Sequence, residues 1–265
     1  MINFDGVTCL VTGAGGEIGR AIAVKLGELG GNILVCDLDL VSGERTAAEI
    51  KEKGHKAQFY RLDVGDEENW NGAIAAAQRA GGDFSVLVNC AGLFGRGPSG
   101  IAEIPFEEWQ RVHRVNLDGA FLGVRAGVAA MAGKGGSIVN IGSVVGYFGA
   151  RSGVAYGVSK AAIRGLTLQA SSSAIEAGTK VRVNAVHPGY VLTESALGAA
   201  LKQFPTREEA IASFARRNPS NRVILPEDIA KAVAFLASDA ASMINGADLM
   251  VDDGLSTQMP GKVFQ

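Results

Sequence analysis

Apolar residues fall into two alternating patterns along the chain. Short, nearly unbroken apolar runs occupy 7–12 (VTCLVT), 32–37 (NILVCD), 57–63, 84–90, 136–142 and 181–187, and DLMVD at 248–252 has the same character. Runs of this length, rich in Val and Ile and without polar alternation, predict strands covered on both faces, as in a parallel sheet. Between them, 18–30, 43–53, 67–80, 106–132, 155–177 and 226–238 read as helices. This alternation predicts an α/β fold, a Rossmann-like doubly wound sheet of about seven parallel strands flanked by helices. No tandem repeat, low-complexity tract or linker interrupts residues 1–265, so one domain is expected.

The segment 190–225 breaks the rhythm, lying between the sixth strand and the helix that opens at Pro226 without a strand signal of its own. Insertions of this kind in compact domains are often lids. Ligands of open α/β sheets bind beyond the carboxyl ends of the strands, and this segment follows such an end. It is expected to border the site.

Composition narrows the picture. With 47% hydrophobic and 20% charged residues the chain reads as globular and soluble, and a net charge of −2 gives no general pull toward nucleic acid or an anionic membrane. No run approaches the roughly 18 apolar residues of a membrane span, and the N-terminus lacks a basic region followed by an apolar core. A cytoplasmic location is expected. Cys9, Cys36 and Cys90 form no CxxC pair and sit in or at the end of apolar runs, so buried, reduced thiols are expected. No His/Cys/Asp cluster has metal-ligand spacing, so no metal is expected. His55 and His113 read as surface groups, and His187, which precedes a Pro-Gly turn at the end of the sixth strand, is not expected to be catalytic.

Chemistry is concentrated in three places. TGAGGEIG (12–19) joins the first strand to the first helix, and such a turn presents free backbone N–H groups and the positive end of a helix dipole, as a pyrophosphate requires. The G-x-G-x-x-G fingerprint does not fit, because Ile18 occupies its third glycine position. Asp37 ends the second strand, where a carboxylate accepts from an adenosine ribose and repels a 2′-phosphate, which points to NAD. Glu17 falls in the first turn of the helix, where an acid suits the dipole; its side chain is expected to point to solvent or to a ribose hydroxyl. Tyr156 and Lys160 lie at i and i+4 on one helix face. A phenol with pKa about 10 is a poor base, and a neighbouring ammonium lowers it enough for proton transfer with an alcohol. Ser143 ends the fifth strand, where its hydroxyl could hold the substrate oxygen.

Taken together these motifs resemble the classical short-chain dehydrogenase/reductase family over nearly the whole length. TGAGGEIG resembles TGxxxGxG with Glu17 in place of the usual glycine, and NCAG (89–92) resembles NNAG with Cys90 as the departure. Asn116 in RVNLDGAF matches the helix asparagine, Ser143, Tyr156 and Lys160 match the serine and YxxxK, and HPGYVLT (187–193) resembles the PGxxxT segment.

The resemblance implies an NAD-dependent oxidoreductase acting on CH–OH groups. Tyr156 would be the general acid/base, Ser143 the group that orients the reacting oxygen, and Lys160 a partner to Tyr156 that also holds the nicotinamide ribose. Asn116 would hold a proton-relaying water. Gly13, Gly16, Glu17, Ile18 and Gly19 would line the pyrophosphate loop, Asp63 and Val64 the adenine, and Asn89, Ala91 and Gly92 the adjoining ribose. Pro188, Gly189, Val191 and Thr193 would hold the carboxamide. A homotetramer is implied, with the helices at 106–132 and 155–177 at one interface, where Ala161, Ala162, Gly165 and Ala170 would allow close approach. Leu192, Leu197, Leu201, Phe204 and Phe214, with Val144, Val145, Tyr147 and Phe148, favour a cyclic or apolar secondary alcohol. A polyol, served by Arg96, Arg151 and Glu194, is the main rival. A 3-oxoacyl thioester reductase and a catalytically silent nucleotide sensor are the remaining readings.

Overall fold

The computed structural model describes residues 2–96, 100–149 and 153–257. Seven strands form one sheet in the order β3-β2-β1-β4-β5-β6-β7, every neighbouring pair parallel. They are β1 (Val7–Thr12), β2 (Asn32–Asp37), β3 (Ala57–Arg61), β4 (Asp83–Asn89), β5 (Gly136–Ile141), β6 (Val181–Pro188) and β7 (Asp248–Val251). The strand order reverses between β1 and β4, which is the switch point where a doubly wound sheet opens a crevice.

Two apolar layers sandwich the sheet, because successive strand residues point to opposite faces. Val11, Val139 and Val186 pack with α1 (Glu17–Glu28), α2 (Leu40–Glu52) and α9 (Pro226–Ala237) on one side. Leu10, Leu87 and Ile138 pack on the other with Trp70 of α3 (Glu67–Arg79) and with Val124 of α5 (Gly119–Met131). The long α6 (Val154–Glu176) lies against β6 on that second side. Each buried Leu or Ile contributes about 1.5–3 kcal/mol by leaving water, so these layers hold the strand ends in place.

The strands and most helices fall within a few residues of the expected bounds. The helix expected over 106–132 differs. It consists of α4 (Phe106–His113), a π-helical stretch at Arg114–Asp118 and then α5. The wider turn carries Asn116 inward, to 1% exposure, and such bulges are frequent at functional sites. Segment 190–225 contains two short helices, α7 (Glu194–Ala200) and α8 (Arg207–Arg216), each capped by a threonine hydroxyl. No helix among the described residues is long and apolar enough to cross a membrane.

Candidate active site

A cleft of about 1140 Å³ runs along the carboxyl ends of the strands and under α7 and α8. Its walls include Gly13, Gly16, Glu17, Ile18, Gly19, Asp37, Asp63, Val64, Ala91 and Gly92 at one end, and Ser143, Tyr156, Lys160, Pro188, Gly189, Val191 and Thr193 further along. The structure therefore brings together nearly all the catalytic and cofactor-binding residues singled out in the sequence. Asn89 and Asn116 are the exceptions.

The phosphate end is built from backbone. Gly16 caps α1 without any side-chain bond, so the first amides of the helix face the cleft. Gly13 has φ 64°, and a Cβ there would lie 2.7 Å from Ala91 Cα. A Cβ on Gly19 would run into the Gly13 carbonyl oxygen. These glycines are needed for the close approach of loop to helix and to β4, and the resulting cradle fits the pyrophosphate of a nicotinamide dinucleotide. Asp37 Oδ2 accepts from Gly15 N at 2.8 Å and Oδ1 from Asp39 N at 2.9 Å, so the acid is fixed at the edge of the cradle. Asp63 accepts from Arg114 at 2.9 and 3.2 Å, and this hydrogen-bonded guanidinium holds its carboxyl below the usual range.

Glu17 does not point to solvent. Its carboxylate accepts from Glu194 N at 2.7 Å and Ser195 N at 3.3 Å, while Thr193 Oγ1 accepts from Ala196 N at 3.1 Å. The first amides of α7 are thus satisfied from two sides, and an acid at the phosphate loop becomes the cap of a distant helix. Only chain folding reveals this contact, because the partners are far apart in sequence.

At the reacting end Tyr156 and Lys160 share one face of α6. Burial pushes the Tyr156 phenol above its ordinary value, while the Ser143 hydroxyl beside it pulls the other way. Burial lowers Lys160 to about 8, and its Nζ donates to Ile141 O at 2.7 Å. Lys160 Nζ lies 5.6 Å from the Tyr156 ring centroid. In this structure desolvation, not the ammonium, therefore governs the phenol, contrary to the expected lowering. Phe94, from the loop after β4, packs on the Tyr156 ring with centroids 5.1 Å apart.

Asn116 Oδ1 accepts from Leu93 N at 2.7 Å, and its Nδ2 donates to Leu93 O and to Ser159 Oγ. The side chain ties the Leu93 loop to α6. It also lines, with Lys160 and Asn89, a small recess of about 10 Å³ at the lower limit for one water. Asn89, expected at a ribose, instead turns into the sheet, where Nδ2 donates to Asn140 Oδ1 at 2.9 Å. Cys90 also differs from expectation: Cys9 and Cys36 are buried, but Cys90 is partly exposed on the cleft. Thr12 Oγ1 accepts from the amides of Cys90 and Ala91 and steers the chain out of the sheet there.

His187 is fully buried and part of the scaffold behind Ser143. The Ser143 N–H donates to His187 Nδ1 at 3.2 Å, which leaves Nε2 to donate to Asp248 Oδ1 at 2.9 Å. Tyr147 packs edge-on against this imidazole rather than lining the cleft. Burial lowers the His187 pKa, opposed by Asp248. His113, expected at the surface, is half-buried and stacks on Trp109 at 4.0 Å between centroids. Among the described residues no group of three or more His, Cys, Asp or Glu is placed to hold a metal ion.

In the substrate half, Phe204, Phe214, Val144 and Val145 line the cleft as expected, while Leu197 is buried beneath α7 and Leu201 faces outward. Leu93, Phe94, Tyr190, Gln203 and Arg217 also line it and were not apparent in the sequence. Arg151 lies outside the described residues.

A family model described as enoyl-(acyl carrier protein) reductase matches residues 13–256. The chain belongs to the short-chain dehydrogenase/reductase family. A 3-beta-hydroxysteroid dehydrogenase of Comamonas testosteroni is 34% identical over 95% of this chain and 96% of its own. A cyclohexanol dehydrogenase of Acinetobacter sp. (strain SE19) is 32% identical over 96% and 97%. Among solved structures, a candidate NAD(P)-dependent gluconate 5-dehydrogenase from Beutenbergia cavernae, with NADP bound at low occupancy, superposes with TM-score 0.85 at 35% identity, covering 97% and 99%. The short-chain dehydrogenase/reductase fold explains the order of cradle, Ser143 and the α6 pair along one cleft, and the chain is an oxidoreductase acting on CH–OH groups.

Proposed function

We propose that this protein interconverts a cyclic or otherwise apolar secondary alcohol and its ketone with NAD(H). The observation that carries the reading is the convergence of Ser143, Tyr156 and Lys160 on the cleft wall that continues from the α1 cradle. A bound nicotinamide supplies the hydride acceptor or donor. Tyr156 takes the alcohol proton during oxidation and returns it during reduction, and Ser143 holds the reacting oxygen. Lys160 and Asn116 border the small recess from which a water can pass that proton onward. The segment 190–225 acts as a lid on one domain formed by residues 1–265.

The choice of NAD rests on Asp37. Among the described residues that line the cleft the cations are Lys160 and Arg217, and neither belongs to the Asp37 end. A 2′-phosphate would therefore face a carboxylate without a compensating charge. One observation favours the second reading, NADP with a polyol or sugar acid: Arg61 Nε donates to Leu38 O at 3.3 Å, close behind Asp37. The 3-oxoacyl thioester reductase reading shares that cofactor requirement.

The relatives that act on cyclic alcohols support the substrate class. A homotetramer is supported by the exposed apolar strip of Phe121, Val158 and Leu168 on α5 and α6, beside Gly165, at which a Cβ would meet open space. The absence of a long apolar helix among the described residues fits a cytoplasmic protein.

The test is kcat/KM with NAD and with NADP, for cyclohexanol-type substrates against sugar alcohols. NAD and the cyclic alcohols are expected to win. A preference for NADP removes the assignment of Asp37, and a tenfold advantage for sugar alcohols removes the apolar-pocket reading.

A further inference from the structure

Charge is unevenly distributed along the cleft. Its three acids, Glu17, Asp37 and Asp63, all belong to the cofactor half, and each is already bonded to backbone amides or to Arg114. Beyond Tyr156 the walls are apolar or neutral, with one exception. Arg217, directly after α8, lines the cleft with its guanidinium carbon 4.8 Å from the Tyr190 ring centroid and 5.3 Å from that of Phe214. Both rings are themselves cleft walls. Among the described residues, no carboxylate lies within salt-bridge distance of Arg217, whereas Arg207 in the same lid is paired with Glu194.

A guanidinium held over aromatic rings is attracted by their π-faces, a contact that leaves its N–H groups available as hydrogen-bond donors. Those donors form a fork that suits a carboxylate or another planar oxyanion. The position is also apt: Arg217 lies against Tyr190, which follows the Pro188-Gly189 turn, and both line the same cleft as Tyr156. An alcohol reacting at Tyr156 would present its far end to Arg217 across an apolar passage.

We infer that the substrate is a secondary alcohol that carries an anionic carboxylate-type group, held by Arg217 at the lid. This deepens the function proposed above and rests on it. Apolar walls contribute affinity for the ring or chain, and Arg217 selects for the charge at its end.

The test uses the full protein saturated with NAD. Activity is compared for trans-4-hydroxycyclohexanecarboxylate and cyclohexanol in wild type, Arg217→Gln and Arg217→Lys, and binding of non-reacting cyclohexanecarboxylate is followed by calorimetry at low and high salt. The wild type is expected to favour the carboxylated alcohol by at least tenfold in kcat/KM. Arg217→Gln should collapse that ratio through KM, with Arg217→Lys restoring part of it. Cyclohexanecarboxylate should bind the wild type at least tenfold more tightly than Arg217→Gln, and salt should weaken that binding. Equal use of the two alcohols by the wild type overturns the inference. So does an equal loss on both alcohols in Arg217→Gln, which would make the side chain a clamp for Tyr190 and Phe214. Absence of turnover with every alcohol would sink the functional reading instead, while the calorimetric arm still decides whether Arg217 holds an anion.

Discussion

The two ends of the cleft are held by different means. At the cofactor end the shape comes from backbone: glycines too tightly packed for a Cβ, a helix start without a side-chain cap, and Asp37 bonded to two amides. At the substrate end it comes from side-chain tips: Phe94 on the loop after β4, Phe204 between α7 and α8, Phe214 on α8 and Arg217 directly after it. Backbone geometry tolerates little variation and serves one ligand shape. Side-chain tips can be exchanged with little cost to the fold, so specificity can diverge there while the chemistry stays fixed.

The largest test of this contrast lies at the junction of the two ends. Tyr156→Phe removes only the transferable proton, since the ring and its contact with Phe94 remain. Turnover should fall by about 10²–10⁴-fold, the range of general acid–base catalysis, with NADH affinity nearly unchanged. Stopped-flow turnover and NADH fluorescence titration measure the two separately. Retention of most activity would remove Tyr156 from the mechanism.

Next in size is a pair of alanine substitutions, one at each end. Gly19→Ala forces a methyl group against the Gly13 carbonyl, and neither backbone segment can yield cheaply. It should destabilise the protein by about 1–3 kcal/mol and weaken NAD binding with it. Gly198→Ala in α7 meets nothing within 4 Å and should stabilise by roughly 0.5–1 kcal/mol, through helix propensity. Urea unfolding of both variants checks the contrast. Equal losses at the two sites would erase it.

The same contrast explains what could be read in the chain. Strands, the α1 turn, Asp37 and the i, i+4 pair Tyr156 and Lys160 are local patterns, and local patterns survive in sequence. The cap that Glu17 gives to α7, the Ser143–His187–Asp248 chain and the cation–π contact of Arg217 with Tyr190 all join elements distant in sequence. No periodicity announces them. The inward turn of Asn89 is likewise set by Asn140 on a neighbouring strand. The π-helical stretch at Arg114–Asp118 was hidden for another reason: one widened turn leaves the apolar periodicity of 106–132 almost unchanged.

His187 gives a pH-dependent version of the test. Its Nδ1 must stay unprotonated to accept from Ser143 N, and burial lowers its pKa below the usual value of about 6.5. A pKa lower in the folded state than in the unfolded chain means that the unfolded chain binds more protons in between. The stability is then fully present above about 6.5 and declines as pH falls from there through the folded-state value. Urea midpoints measured between pH 8 and 5 should therefore fall toward acid, and His187→Gln should flatten that slope. If the slopes of the two proteins are the same, His187 is not the group responsible.

The smallest effect is expected where the two ends touch. Glu17 stands at the first residue of α1 and caps the first turn of α7 through the amides of Glu194 and Ser195. An acid at a helix N-terminus contributes about 0.3–1 kcal/mol, and here one carboxylate serves two such termini. Glu17→Gly leaves the phosphate contacts in place, since backbone N–H groups supply them. What it removes is the tie between cradle and lid. NAD affinity should change by no more than about fivefold, the equivalent of that energy. Hydrogen exchange should nevertheless quicken at the amides of Glu194 and Ser195, while Ala196, held by Thr193, changes least. Unchanged exchange at all three amides would show that α7 is held by its packing alone, through the buried Leu197. Complete loss of NAD binding by calorimetry would show instead that the carboxylate shapes the cradle itself, and the cofactor end would then depend on a side chain after all.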